Sequence, residues 1–596
     1  MSDNSETVGG DVDPAAAEQP HWFWGPFLGS KGLLAQVVLA ATVSNVLALS
    51  SSLFIMVVYD KVIPNNAMDS LVALVVGMVI VIVSDYVLKN LRGYFIDIVG
   101  RRADTVIGRA LFRQLLTLDL AARHGGSTGS YANTVKEFDT LRDFFASATV
   151  TSLVDLPFVL FFVWVIWMIG GPVALVLVIA VPTVLIYAGV IQPLLSRHIT
   201  RTFREGAAKQ GVLVEAVGAM ETIRSVGGAD FMTERWDESV NRQSESAMRT
   251  RLTAQTATNL AGAAQQAVQV GIVFYGALLM QEGAVTMGSL VACVILSGRC
   301  MGPLSQVAGL LTRAQHAVAA YRSIDRLMKL PSAYNSGRNY LRRERVQGRI
   351  EFRNVTFRYP GAAVRALDDV SFVVEPGEKL AILGRIGSGK STIVRLAMGL
   401  YEPDEGQILI DDTDIRQFHP DDRRRHMGAL LQDSQLLSGT IRENIAIGAD
   451  HPSDDDILHA AAVSGAHDFV GHLPSGYDLR ISERGEGLSG GQRQALGFAR
   501  ALVGRPRFLM LDEPTSALDT RSESALIGRL RTAIKDKTVL LVTHKSSLLD
   551  LADKVLIVDG GKVVTLGSKA EVMARLAQGE RAGNGGRTGT GGRADG

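Results

Sequence analysis

Apolar positions in the first half of the chain come in long runs. Leu33–Val58, Leu71–Leu88, Leu153–Ile169, Val173–Leu194, Leu260–Met280 and Gly288–Gln306 each approach or exceed the ~20 apolar residues that cross a bilayer as a helix. The fifth run is the weakest, because Ala and Gln dominate the start of "LAGAAQQAVQVGIVFYGALLM". Six spans are an even number, so both chain ends are expected on one side of a lipid bilayer. From about Gly348 the pattern changes to short β-branched runs separated by turns and helical stretches, which predicts an α/β domain.

Charge sets the orientation of the spans. The long connections Lys89–Ala148 and Ser196–Asn259 hold Arg92, Arg101, Arg102, Arg109, Arg113, Lys136, Arg197, Arg201, Arg204, Lys209 and Arg224. The alternate connections around Pro64–Asp69, Gly170–Pro172 and Gln281–Ala284 are short and nearly free of Lys and Arg. By the positive-inside rule the long connections and both termini face the cytoplasm. In "FREGAAKQGVLVEAVGAMETIRSV", Val212, Ala216, Met220 and Ile223 recur at three- and four-residue steps, so the long connections read as helices that continue the spans. "ARHGGSTGSYAN" and "GGADFMTERWDE" supply the turns, which are expected to touch the nucleotide domain.

Composition narrows the picture further. At 596 residues the chain divides into two or three domains, and a net charge of +1 offers no basic surplus for a nucleic-acid partner. Cys293 and Cys300 are two helical turns apart, roughly 10 Å, so they read as small buried hydrophobes that cannot bridge. Polar Met1–Gln19 lacks the basic start and apolar core of a secretory signal. The expected order is a disordered tail over 1–30, an all-α six-helix transmembrane domain over 31–330, a linker over 331–347, an α/β P-loop NTPase domain over 348–577, and a disordered Gly-rich tail over 578–596. Inside the spans, Arg299, Gln265, Gln266 and Gln269 are costly against lipid and should face an aqueous path or another helix. Asp155 in "VDLPF" reads as an anchor for a span end at the interface.

The second half carries the candidate chemistry. "KLAILGRIGSGKSTIVRLAMGL" is a strand, a glycine-rich turn and a helix, with the phosphate-loop spacing at Gly384, Gly389, Lys390 and Ser391. Gly384, Arg385, Ile386, Gly387, Ser388 and Gly389 let backbone N–H groups curl around phosphates, and Thr392, at the start of the helix, is counted with them among the ATP-binding residues. Lys390 reaches the β and γ groups, and the Ser391 hydroxyl can ligate Mg²⁺. A second apolar strand in "RFLMLDEPTSALD" ends on Asp512, suited to orient a Mg²⁺ shell, and Glu513, suited to polarise an attacking water. Adjacent acids after a strand are ordinarily a solvated strand end; beside a phosphate loop that reading recedes. His544 ends a third strand, "TVLLVTH", where packing is the default role; in this setting it can hydrogen-bond the γ-phosphate and hold base and water in register.

"SERGEGLSGGQRQ" is a second anion site at a helix start. Leu488, Ser489, Gly490, Gly491 and Gln492 have no lysine and no strand placing them beside Lys390. The economical arrangement pairs two copies head to tail, Ser489 and Gly491 capping the γ-phosphate held by the other copy's Gly389 and Lys390. Such a homodimer closes with two-fold symmetry.

Tyr359, "GRIGSGKST", Gln432 in "LLQDSQ", LSGGQ, "LMLDEPTSALD" and His544 together resemble the nucleotide-binding domain of ABC transporters, and the six spans with long cytoplasmic loops resemble the exporter type. The resemblance runs from Leu33 to about Leu576, and with one phosphate loop and one set of spans it implies a half-transporter that hydrolyses ATP. It further implies that Tyr359 stacks on adenine, that Gln432 joins the Mg²⁺ ligands and couples the site to the membrane helices, and that Asp519 communicates across the dimer. Each cytoplasmic turn would dock on a nucleotide domain, the second on the partner's, with "SERGEG" sensing those turns.

"VVYDKVIPNNAMDSL", "VDLPF", "GSLVACVILSGRCMGPLSQ" and "GRIGSGKST" are similar to type I secretion ATPases of the bacterial inner membrane. That likeness implies an unfolded polypeptide cargo, often a repeat-rich calcium-binding protein with a C-terminal signal, a periplasmic adaptor and an outer-membrane channel. Only about thirty residues precede the first span, without cysteine, so no leader-peptide cleavage is expected. A lipid, drug or peptide exporter is the alternative. A nucleotide-gated channel or regulator is a third reading, against which Glu513 and His544 both speak.

Overall fold

The computed structural model describes residues 21–123, 128–146, 148–334 and 340–575. Contacts divide the chain into two units, one running to Leu116 and from Gly125 to Leu330, the other holding Thr117–His124 and everything from Pro331 on. The tail segments 1–20 and 578–596 lie outside the described residues.

The first unit is helical throughout. Its long helices are Lys31–Val57, continued by a π turn Val58–Val62, then Met68–Thr117, Leu175–Gly218, Ala229–Gln281 and Met287–Met328. The third span is two helices, Ala148–Asp155 and Phe158–Gly170, separated at Pro157. Five continuous stretches are long and apolar enough to cross a membrane among the described residues, because Thr151–Gly218, at 68 residues, carries the third and fourth spans joined. Gly171, at φ 50, breaks that run where the sequence places a short connection. At 42 to 53 residues, the four helices from Met68, Leu175, Ala229 and Met287 far exceed a bilayer's needs, so they carry the expected extensions.

The second turn is tighter than the sequence suggests. Helix stops at Gly218, resumes over Met220–Ser225 and starts again at Ala229, so the second turn is essentially Val226–Gly228. In the first, residues 124–127 lie outside the described residues and helix begins at Thr128. The 117–123 strip belongs to the second unit, where Asp119 N donates to Pro331 O at 3.0 Å and Ala333 N to Thr117 O at 2.7 Å.

Two expectations about the first unit need correction. The stretch 21–30, assigned to a disordered tail, holds ordered aromatics: Phe23 is 2% exposed and meets Tyr321 and Phe145 edge-on, each at 5.3 Å. Trp22 stacks on Tyr321 and donates from its indole to Asp325 at 3.2 Å. Aromatic rings of this size bury enough area to hold a short segment down. Asp155 does more than anchor a span end. It accepts Arg92 at 2.9 Å and Asn45 Nδ2 at 2.9 Å, tying the first, second and third spans together.

That pair yields a stability prediction. Arg92 is 8% exposed, and removing one partner of a well-buried pair costs about 3–5 kcal/mol; partial access to Asp155 lowers the figure to about 2 kcal/mol. Arg92→Met should therefore lower the inactivation temperature of the detergent-purified protein, and Arg92→Met with Asp155→Leu should recover part of the loss. A double variant no better than the single would show that the ion pair is not the cause.

Other polar ties are closer. Asp60 accepts Gly288 N at 2.8 Å and Thr286 Oγ1 at 2.6 Å, fastening the end of the first span to the start of the sixth. Cys293 and Cys300 are free and buried, as read, and a Cβ at Gly170 would lie 2.5 Å from Cys293 Sγ. Arg299 and Gln266 are exposed on the single subunit, whereas Gln265 and Gln269 are half-buried.

The second unit is built on a six-stranded sheet in the spatial order Lys562–Ser568, Lys554–Asp559, Lys379–Leu383, Thr538–Val542, Phe508–Asp512, Met427–Leu430. All neighbours are parallel except the first pair. A four-stranded antiparallel sheet, with Ile350–Phe357 inside it, accompanies it. The central strands are buried on both faces: Phe508, Met510, Leu540 and Val542 enter one core, Leu509, Leu511, Val539 and Leu541 the other. Burial on two faces is why these strands read as unbroken apolar runs.

Candidate functional site

Parallel strands deliver their carboxyl ends to one edge of a sheet, where such folds bind ligands. Four strands here end within a few residues of a motif. Lys379–Leu383 runs into the phosphate loop, Met427–Leu430 precedes Gln432, Phe508–Asp512 precedes Glu513, and Thr538–Val542 precedes His544. Register confirms the alignment, since Val542 lies opposite both Ile382 and Asp512.

Two glycines let the loop press against neighbouring backbone where no side chain would fit. Gly384 has φ 155, and a Cβ there would stand 2.0 Å from Val558 O; at Gly389, φ 102, it would stand 2.5 Å from Ala366 O. Helix Lys390–Ala397 follows directly and points its free N–H groups into the loop. Lys390 Nζ donates to Gly384 O at 3.0 Å and Arg385 O at 2.8 Å, folded over the loop it belongs to. Burial pushes its ammonium below the ordinary value, while Glu513 and Asp512 pull it back. Ile386, 96% exposed, and exposed Arg385 and Gly387 form the loop's outer rim.

Two buried polar atoms here have no protein partner, Ser388 Oγ and Asp512 Oδ1. Such orphans are costly unless something else satisfies them. Burial raises the Asp512 carboxyl above its usual range, opposed by a hydrogen bond from Ser391. A triphosphate fits the first orphan, and a divalent cation held between Asp512 and Ser391 fits the second and would reverse the carboxyl's shift. Among the described residues no group of three or more His, Cys, Asp and Glu could hold a metal ion; a divalent cation at this point would draw on Ser391, Asp512, Gln432 and phosphate oxygens. Gln432 stands exposed in a turn.

Glu513 has a left-handed backbone, φ 51, with its N–H donating to Val542 O at 2.9 Å. Its carboxylate lies 3.3 Å from His544 Nε2. Tyr359 is half-buried, bonded through its hydroxyl to Thr392 at 3.2 Å and Arg395 at 2.9 Å, and packed edge-on against Tyr401. One face of the site thus joins Tyr359, the loop, Asp512, Glu513 and His544.

The LSGGQ segment starts helix Gly490–Leu502. Ser489 caps it, accepting from Gln492 N at 3.2 Å while Gln492 Oε1 accepts Ser489 N at 2.8 Å. A pocket of about 660 Å³ opens there, lined by Ser489, Gly490, Gly491, Gln492 and Asp519. Leu488 packs against the neighbouring hydrophobic core, and Asp519 caps the next helix through Arg521 N and Ser522 N. Lys390 does not line this pocket.

Sequence reasoning passed over several supporting residues. Lys545 bonds Glu523 at 2.5 Å and Thr515 O at 2.7 Å, with Ser547 also on Glu523, which fastens the loop carrying His544. Arg423 supports the other end of the phosphate-loop helix through Gly399 O at 3.0 Å, and burial pushes its guanidinium down to about 10. Gln494, two residues past the motif, contacts Glu513 O. Their partners lie far off in sequence; only the charge next to His544 is a local hint.

Comparison with known proteins agrees with this geometry. Residues 34–304 match the family described as "ABC transporter transmembrane region", and residues 367–516 match "ABC transporter". Leukotoxin translocation ATP-binding protein LktB of Mannheimia glucosida is 33% identical over 552 residues, 93% of this chain and 78% of the relative. Alpha-hemolysin translocation ATP-binding protein HlyB of Escherichia coli O157:H7 is 33% identical over 554 residues, with the same coverage. A bacterial Atm1-family ABC exporter, solved with ATP bound, superposes with a TM-score of 0.83 at 24% identity, covering 95% of this chain and 99% of that one.

Proposed function

The chain belongs to the ABC transporter family as an ATP-hydrolysing exporter half-transporter, and from that premise we propose that two copies export a polypeptide as the inner-membrane engine of a type I secretion system. The observation that carries the cargo is the likeness, over 93% of the chain, to proteins named for translocating leukotoxin and alpha-hemolysin. The basic connections between spans support a cytoplasmic nucleotide domain and cytoplasmic termini. A periplasmic adaptor and an outer-membrane channel complete the route.

ATP enters with its base on Tyr359 and its phosphates in the 384–389 loop, against the Lys390 ammonium. Ser391, Asp512 and Gln432 would hold Mg²⁺, which would supply neutralisation of the phosphate charge. Glu513 accepts the proton of a water that attacks the γ-phosphorus in line as the bridging P–O bond to the β-phosphate breaks. His544, 3.3 Å from that carboxylate, holds it and the γ-phosphate in register. Ser489 and Gly491 of the partner copy cap the same phosphate, so the two nucleotide units close only around ATP. Closure and release then drive the spans between two arrangements.

The test uses the full chain in lipid nanodiscs with the C-terminal fragment of a glycine-rich, calcium-binding repeat polypeptide. ATPase stimulation by that fragment, and capture of a stalled cargo together with the adaptor, are expected. Stimulation by lipid or small amphiphiles alone, with full transport in the absence of an adaptor, would replace polypeptide export with flippase activity.

A further inference from the structure

Gln494 uses its whole carboxamide on one strip of chain. Its Nε2 donates to Glu513 O at 3.0 Å and to Ser516 Oγ at 3.2 Å, and its Oε1 accepts Ala517 N at 3.1 Å. A backbone carbonyl only accepts and a backbone N–H only donates, so these partners allow one orientation of the amide. Both protons and the oxygen are engaged.

The contact falls where Glu513 is most constrained. A non-glycine residue with a left-handed backbone is strained, and Glu513, at φ 51, persists there only because its surroundings hold it. Three groups grip this one: Val542 O takes the Glu513 N–H at 2.9 Å, and its carbonyl accepts both Ser516 N at 3.2 Å and Gln494 Nε2 at 3.0 Å, Gln494 being the one side chain among them. The conformation they hold puts the carboxylate 3.3 Å from His544. Glycines bring the helix near enough to do this. A Cβ at Gly490 would stand 3.3 Å from Ala517 Cβ, and one at Gly491 would stand 3.2 Å from Leu518 Cδ2.

We propose that Gln494 is a positioning residue for the general base: from the helix that begins at LSGGQ it clamps the Glu513 backbone and the 516–517 strip, and so fixes where the carboxylate points. The inference rests on the reading of Glu513 as the base. Under the two-copy arrangement it has a further consequence, because the helix whose first turn caps the partner's phosphate also holds its own chain's base. Occupancy of one site is thereby felt at the carboxylate of the other.

The experiment measures steady-state ATPase and fluorescent-nucleotide affinity of full-length Gln494→Met and Gln494→Glu in nanodiscs. Met keeps the length and loses all three bonds; Glu keeps the acceptor for Ala517 N and loses both donors. A misplaced base should lower kcat about 10- to 100-fold in both, with KM and nucleotide affinity held within about 3-fold and an unchanged melting temperature. A kcat within twofold of wild type in either variant overturns the proposal. So does a parallel fall in affinity and kcat, which marks general loosening. Should Gln494→Met not fold, Gln494→Glu carries the same expectation. Failure of the parent readings shows elsewhere: Glu513→Gln that still turns over removes the base itself, and Ser489→Ala in mixed dimers that harms only its own chain's site ends the trans cap without touching the Gln494 contacts.

Discussion

Glu513→Gln is expected to hold ATP and scarcely hydrolyse it, with turnover lower by about 10²- to 10⁴-fold and nucleotide affinity unchanged. The amide matches the carboxylate in shape, so the left-handed backbone, the Val542 bond and the loop around the phosphates remain. What would be lost, with Glu513 as the proposed base, is the acceptor for the water's proton beside His544. Phosphate release under saturating ATP, with fluorescent-nucleotide binding on the same preparation, separates the two quantities. A variant that turns over within tenfold of wild type would show that another group takes the proton.

Lys390→Ala should produce the opposite split. Nucleotide affinity is expected to fall about 10- to 100-fold, the worth of charge-assisted hydrogen bonds to phosphate. Lys390 also bridges the carbonyls of Gly384 and Arg385 across its own loop, so its removal loosens the curl as well as the charge. Binding titrations without turnover read the effect directly. Affinity within twofold of wild type would mean that the backbone cradle alone carries the phosphates and that the lysine serves only the chemistry. Measured together, the two variants assign binding and chemistry to different strand ends of one sheet.

The parts of the site that were legible in sequence are those whose chemistry is local. The phosphate loop needs its glycines, lysine and serine within a few consecutive residues, because one turn and one helix start must wrap one group of oxygens. Asp512, Glu513 and His544 each announce themselves at the end of an apolar strand, and the shared sheet edge does the rest. The spans were legible for a similar reason, since a bilayer sets a length that composition alone reveals. Asp155 was misjudged because its partner, Arg92, sits 63 residues away on another helix. Gln494 was passed over because a glutamine in a helix looks like any surface residue until its three partners are known. The N-terminal aromatics escaped for the same reason, their contacts with Tyr321 and Asp325 being some 300 residues distant.

From the order of its residues alone this chain had already determined a membrane-spanning half, an ABC ATPase half and the strand ends on which Asp512, Glu513 and His544 lie. Those properties follow from period, run length and motif spacing, which short-range sterics and hydration enforce wherever the segment sits. Tertiary structure alone decided which distant groups meet: Arg92 with Asp155, Asp60 with Gly288, His544 with Glu513, Gln494 with the carbonyl behind it. Such pairings depend on how whole helices and strands pack, and packing sums many weak contacts over the full chain, so no local stretch encodes any one of them.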